Sequence, residues 1–240
     1  MWRKDAIRCI QDLFFPPICV LCGAAGTAAG VCSDCYAELP WLKHACRRCA
    51  RPLPATAGNR AVCGSCLSRP PAFDHARSAF RYEYPVDILL HDLKYRDRIF
   101  LGRTFGTLMG ERLSANSWLL PDILVPVPMH PRREGHRGFN QAREIARGIA
   151  GVTGLPVLRG NVIRSRATVE QTGLGQAARR RNVRGAFVVK DELPFEHVAI
   201  VDDVSTTGST AGELARTLRR AGVSKIGLWT VARAGLPGVL

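Results

Sequence analysis

The sequence predicts an α/β domain on a mainly parallel sheet with helices on both faces, preceded by a small cysteine-rich module. Three observations carry that prediction. Short apolar runs alternate with amphipathic helical patterns over the C-terminal two-thirds of the chain, the signature of βαβ units. Eight of the nine cysteines fall in Cys-x-x-Cys pairs between residues 19 and 66. Between these regions lies Arg69-Pro70-Pro71-Ala72, whose paired prolines stiffen the chain and end whatever precedes them. The expected division is residues 1–70 and 71–240.

At the N-terminus, Ile7, Ile10, Leu13 and Phe14 recur at helical spacing among Arg3, Lys4, Asp5, Arg8 and Asp12. This reads as a short amphipathic helix docking on the body, with Cys9 as a small buried residue. Those charges argue against a secretory signal, and no run of 18 apolar residues occurs, so a cytoplasmic chain without a membrane span is expected.

The cysteines follow as Cys19-x-x-Cys22, Cys32-x-x-Cys35, Cys46-x-x-Cys49 and Cys63-x-x-Cys66. Each pair presents two sulfurs on one side of a tight knuckle, and two knuckles joined by a hairpin supply four-thiolate zinc coordination. Two structural zinc ions are therefore expected. The simplest pairing is sequential, although spacing alone also permits interleaving. Disulfides would need an oxidising compartment and would leave Cys9 odd. Closed four-thiolate sites leave no position for substrate, so the module reads as a docking or recognition element.

The formal charge of +14 suggests nucleic acid, but it counts every cysteine as neutral. With eight thiolates and two zinc ions, residues 1–70 fall to about +1. The excess therefore lies in residues 71–240, concentrated in Arg132 to Arg147 and Arg159 to Arg184, where a polyphosphate would be as welcome as a nucleic acid.

Beyond the prolines, strands are expected at Ser78–Tyr84, Asp122–Val127, Val157–Ile163, Gly185–Val189, His197–Val201 and Lys225–Ala232. Helices are expected at Val86–Tyr95, Phe100–Ser114, Asn140–Thr153 and Thr210–Ala221.

The most informative turn follows His197-Val-Ala-Ile-Val201. Asp202 and Asp203 end an apolar strand, Ser205, Thr206, Thr207, Gly208, Ser209 and Thr210 follow, and a helix opens. Ligands of parallel sheets bind outside the carboxyl ends of the strands, and a helix N-terminus presents N–H groups to phosphate. Hydroxyls add donors, Gly208 permits close approach, and the two carboxylates suit vicinal sugar hydroxyls, with a magnesium ion able to join them. The site thus reads as one for a phosphorylated, hydroxyl-bearing small molecule.

This segment resembles the phosphoribosyl-pyrophosphate signature of type I phosphoribosyltransferases, and the resemblance implies that fold for roughly residues 75–240. It further implies that Asp202 and Asp203 hold the ribose hydroxyls and that Ser205 to Thr210 cradle the 5′-phosphate. A second stretch, Val125-Pro-Val-Pro-Met-His-Pro-Arg-Arg-Glu-Gly-His-Arg-Gly-Phe-Asn-Gln141, taken with the cysteine pairs and Gln171 to Val183, resembles the ComF (GntX-like) family over the whole chain. That family is associated with competence and DNA uptake. Read from the residues alone, Val125-Pro-Val-Pro ends another strand, and the loop beyond offers Arg132, Arg133 and Arg137 to a pyrophosphate. His130 and His136 on this loop read as solvent-exposed or phosphate contacts rather than as an acid or base.

The resemblance places Lys94 at the substrate, where sequence alone puts it on a helix surface, and makes Arg164–Gln171 through Arg179–Val183 a mobile hood over the ligand. It implies magnesium-dependent use of phosphoribosyl pyrophosphate by a phosphoribosyltransferase whose acceptor is unidentified. The alternative is a non-catalytic protein of the uptake machinery that binds single-stranded DNA, or serves as a scaffold for a helicase or channel partner, with the pocket as sensor.

Overall fold

The computed structural model describes residues 17–58, 61–114, 120–166 and 176–235. The expected N-terminal helix with Cys9, and the hood residue Gln171, lie outside the described residues. Two compact units emerge, Met1–Leu39 and Pro40–Leu240. Compactness therefore divides the chain elsewhere than at the paired prolines.

In the first unit the chain turns back at an Ile18–Ala25 bridge, and helix α1 (Ser33–Glu38) follows Cys32. In the second unit, helix α2 (Gly64–Ser68) follows Cys63 in the same way. The second cysteine region packs directly on the sheet. Leu42 N–H donates to Ala79 O at 2.8 Å, Arg81 N–H to Pro40 O at 2.9 Å and Ala76 N–H to Arg47 O at 3.1 Å. The Trp41 and Phe80 rings lie 4.4 Å apart. This segment covers the edge of β1 (His75–Arg81), which would otherwise offer an open row of backbone donors and acceptors.

The central sheet has the order β1-β6-β5-β2, all parallel. Its other strands are β2 (Ile123–Pro126), β5 (His197–Ser205) and β6 (Lys225–Arg233). Val198 and Ile200 of β5 share a core with Ile123, Val125, Ile226 and Leu228. Strand alternation sends Ala199 and Val201 to the opposite face, where they are equally buried. Burial on both faces explains why β5 reads as a continuous apolar run.

Helix α8 (Ser209–Arg220) buries Ala211, Leu214, Ala215 and Leu218 against the first face, one apolar stripe at helical spacing. Each leucine contributes about 1.5–3 kcal/mol by leaving water. Helices α3 (Val86–Tyr95) and α4 (Phe100–Ser114) have the expected bounds. Helix α6 (Gln141–Thr153) starts at Asn140, whose side chain accepts from Arg143 N–H at 3.3 Å and donates to Val127 O at 3.1 Å. That pair ties the helix start to the end of β2.

Two expectations need correction. The runs at Val157–Ile163 and Gly185–Val189 do not join the parallel sheet. Apart from a Leu124–Val157 bridge, they form a separate antiparallel pair, β3 (Val162–Arg164) and β4 (Phe187–Val189). Each strand buries one side only, a pattern that antiparallel pairs tolerate and buried parallel strands do not. The expected basic loop after β2 is instead helix α5 (Pro131–Arg137), with proline in its first turn, His130 as N-cap and Gly138 as left-handed C-cap. Helix α7 (Gln176–Val183) precedes β4.

Helices α4 and α6 approach closely because Gly106 and Gly148 face each other; a Cβ on either would run into the partner helix backbone. Replacing Gly106→Val is expected to cost about 2–3 kcal/mol by overpacking, read as a lower urea midpoint with unchanged slope.

Candidate functional site

The turn after β5 owes its shape to the strands beside it. Asp202 lies opposite Thr230 and Ser205 opposite Arg233 in the β5–β6 register. On the other side Val127 N–H donates to Val201 O at 2.9 Å. The end of β2 therefore lies beside the carboxylates. The loop then tightens on itself. The Thr207 and Ser209 hydroxyls are 2.7 Å apart, and Ser209 N–H donates to Thr207 Oγ1 at 3.3 Å. Gly208 takes φ +70°, a left-handed conformation that L side chains rarely adopt, and α8 opens after it. Asp202, Val204, Ser205–Ala211, Leu228 and Thr230 line a small cavity of about 40 Å³.

The two carboxylates have different surroundings. Asp203 Oδ2 pairs with Lys94 Nζ at 2.8 Å, both side chains being largely buried. Burial works against the Lys94 charge, but Asp203, with Asp202 and Tyr82, outweighs it and raises the lysine above its usual range. Asp202 is pushed up to about 7 by burial and the Asp203 charge, against the pull of the Asp203 N–H, Lys94 and Arg164. Arg164 is 9% exposed and lies over the Phe187 ring at 5.6 Å. Burial weakens its charge while Asp202 supports it.

Thus Lys94, Asp202, Asp203 and the stretch Ser205–Thr210 come together. Arg133 stands close enough to Arg164 for the two charges to interact. Arg137 lies over the Tyr95 ring at 5.3 Å, one residue from Lys94. Arg132 is exposed on the first turn of α5, its N–H donating to His130 Nδ1 at 3.3 Å. From the sequence, Arg164 is only the start of the expected hood. It comes near Asp202 because β3 pairs with β4 and turns it inward, a pairing that no local signal reveals. Between α7 and β4, Gly185 N–H donates to Glu213 Oε1 of α8 at 2.8 Å.

The cysteines form two sequential clusters, Cys19, Cys22, Cys32, Cys35 and Cys46, Cys49, Cys63, Cys66, with ligand atoms within 4.8 Å of one another. Tetrahedral zinc at about 2.3 Å per bond separates its sulfurs by about 3.8 Å. The observed Cys22–Cys32 and Cys49–Cys63 separations are both 3.7 Å. Burial pushes the Cys19 thiol up, but backbone hydrogen bonds of Cys32, Cys22 and Leu21 bring it down to about 6. Cys46 comes down to about 7 in the same way, through Cys63, Cys49 and Arg48. The geometry and the donor set fit two structural zinc sites. Among the described residues no helix is long and apolar enough to cross a membrane.

Residues 10–67 match the double zinc ribbon domain family. The chain is 34% identical over 212 residues to Competence protein F of Haemophilus influenzae, covering 85% of this chain and 91% of that one. It is 34% identical over 227 residues to the DNA utilization protein YhgH of Escherichia coli K12, covering 92% and 99%. Among solved structures, the purine phosphoribosyltransferase of Pyrococcus horikoshii aligns with TM-score 0.33 at 16% identity, covering 57% of this chain and 87% of that one. The glutamine phosphoribosylpyrophosphate amidotransferase of Bacillus subtilis aligns with TM-score 0.36 at 22% identity, covering 54% of this chain and 26% of that one.

The Asp202 environment has a measurable consequence. An unfolded aspartate titrates near 3.8, so the folded chain holds a proton that the unfolded chain has released up to about pH 7. Stability should therefore fall as pH rises from about 4 to about 7 and level off above. Urea midpoints of the wild type and Asp202→Asn across that range check this: the variant should lose this part of the slope.

Proposed function

The chain belongs to the competence protein F (ComF) family, and on that premise we propose that it binds magnesium and phosphoribosyl pyrophosphate at the end of β5 and serves DNA uptake or use. The observation that carries the reading is the junction of a half-buried carboxylate pair with a hydroxyl-rich loop opening α8. Phosphate suits the Ser205–Thr210 loop, where backbone N–H groups, hydroxyls and the positive end of the helix dipole converge. Ribose hydroxyls suit Asp202 and Asp203, which accept hydrogen bonds when ionised.

The pyrophosphate is assigned to the basic rim, with Arg133, Arg137 and Arg132 on α5 and Arg164 from β3. Two carboxylates beside an anionic ligand fit a hard, oxygen-preferring cation, so Asp202 and Asp203 would also help hold magnesium. When bound, that ion supplies charge neutralisation for a leaving pyrophosphate. As a transferase, the chain would position C1 of the ribose so that its bond to pyrophosphate breaks as an acceptor's bond forms. Lys94 would orient Asp203 through their ion pair, and the hood would exclude water.

A second reading, as a single-stranded-DNA-binding protein of the uptake machinery, is favoured by a separate cavity of about 760 Å³ between the second cysteine region and β1. Lys43, Arg47, Arg77, Arg112 and Lys225 line it, and the lining acid Asp74 is held by Arg219 at 2.9 Å. It lies toward the amino ends of the strands, away from the carboxylates.

Calorimetry with phosphoribosyl pyrophosphate and magnesium tests the first reading. The double variant Asp202→Ala/Asp203→Ala should weaken binding by about a hundredfold, two hydrogen-bonded charges being lost; unchanged binding would remove the carboxylates from the site. For the second reading, single-strand affinity should fall steeply between about 50 and 200 mM salt, and Arg47→Ala should reduce that slope by about one charge. Pyrophosphate release with candidate acceptors, measured beside the DNA titration, separates the two.

A further inference from the structure

Arg233 closes β6 and is 4% exposed. Its side chain joins two regions 184 residues apart in sequence. Nε donates to the carbonyl of Cys49 at 3.0 Å, and one terminal nitrogen donates to the carbonyls of Ser205 and Ala234 at 2.8 Å each and to that of Thr206. One rigid, planar guanidinium thus spans a ligand cysteine of the second cluster and the first two residues of the hydroxyl-rich loop.

We infer that Arg233 is a positioning residue coupling the second zinc cluster to the phosphate loop, so that metal at Cys46, Cys49, Cys63 and Cys66 sets the loop's ability to hold an anion. The ligand half of this inference rests on the reading of Ser205–Thr210 as a phosphate cradle; the coupling itself does not.

The peptide plane supplies the link. The carbonyl of Ser205 shares a rigid plane with the N–H of Thr206, and that of Thr206 with the N–H of Thr207, each pair pointing in opposite directions. Holding the two carbonyls toward Arg233 therefore aims the two N–H groups to the other side of the loop. At the far end, the Cys49 carbonyl belongs to a knuckle in which Ala50 N–H donates to Cys46 O at 2.8 Å, Ala50 takes φ 56° and Cys63 N–H donates to Cys46 Sγ at 3.3 Å. Four thiolates bound to one cation keep that knuckle closed, and without the cation their mutual repulsion opposes it. A lysine offers a point charge on a flexible stem and cannot reproduce the fork.

The test uses the full chain loaded with zinc. Backbone hydrogen exchange at residues 205–210, zinc content and calorimetric binding of ribose 5-phosphate are measured for the wild type, Cys46→Ser, Cys22→Ser, Arg233→Met and Arg233→Lys. Cys46→Ser should hold one zinc fewer, exchange about tenfold faster in the loop and bind ribose 5-phosphate about tenfold more weakly. Cys22→Ser should also hold one zinc fewer, yet leave the loop and the affinity unchanged. Arg233→Met and Arg233→Lys should keep both zinc ions and still loosen the loop, while exchange at Val198–Ile200 in the core of β5 stays at the wild-type rate.

Loop exchange unchanged in both Arg233→Met and Arg233→Lys would overturn the coupling, as would equal loosening from Cys22→Ser. If Cys46→Ser fails to fold, the Arg233 variants, in which both clusters are intact, decide alone. If the wild type does not bind ribose 5-phosphate, the phosphate reading fails, and the exchange and zinc data still decide the coupling.

Discussion

Asp202 and Asp203 lie in the last four residues of β5, with β6 on one side and β2 on the other, and adjacent carboxylates at that depth must be compensated. Removing an ion from water costs several kcal/mol unless a counter-charge and hydrogen bonds replace the solvent. The protein meets that demand unequally. Asp203 receives Lys94 from α3, while Asp202, with Arg164 nearby, is left titrating near neutral pH. On the proposed reading, this inequality would make the pair responsive to a ligand, because sugar hydroxyls or a cation arriving there would complete what the fold leaves partly done.

Around that pair, the other elements act as spacers and clamps. The parallel register with β6 places Arg233 under the loop, and the register with β2 places the end of β2 beside the carboxylates. Helix α8 is held to the sheet by its leucines, so its first turn cannot drift from the strand end. The second cysteine region covers the edge of β1 and reaches the loop through Arg233. A module that looks in sequence like a separate appendage is thereby part of the unit that shapes the site.

Much of this was legible before the structure. Helices α3 and α4 and the strand-to-helix passage at β5 and α8 follow from periodicity, and the cysteine clusters follow from spacing. What escaped did so for physical reasons. Helix α5, Pro131-Arg-Arg-Glu-Gly-His-Arg137, buries no residue and carries no apolar stripe, so only its caps mark it. Strands β3 and β4 look like other short apolar runs, and only tertiary pairing makes them an antiparallel flap that turns Arg164 inward. Paired prolines at 70–71 mark a stiff connection, which says nothing about whether the preceding knuckle packs on the body. Arg233 ends an apolar strand and resembles any surface cation until its four carbonyl partners are seen.

In the proposed function, the loop after β5 holds the phosphate of a ribose phosphate. A titration of the isotope-labelled, zinc-loaded chain with ribose 5-phosphate, followed through backbone amide resonances, tests it most directly. The largest shifts should fall on Thr206–Ala211, with smaller ones near Lys94 and Arg164. Shifts confined to Lys43–Ala50 and Arg77, around the larger cationic cavity, with the β5 loop unmoved, would contradict the account.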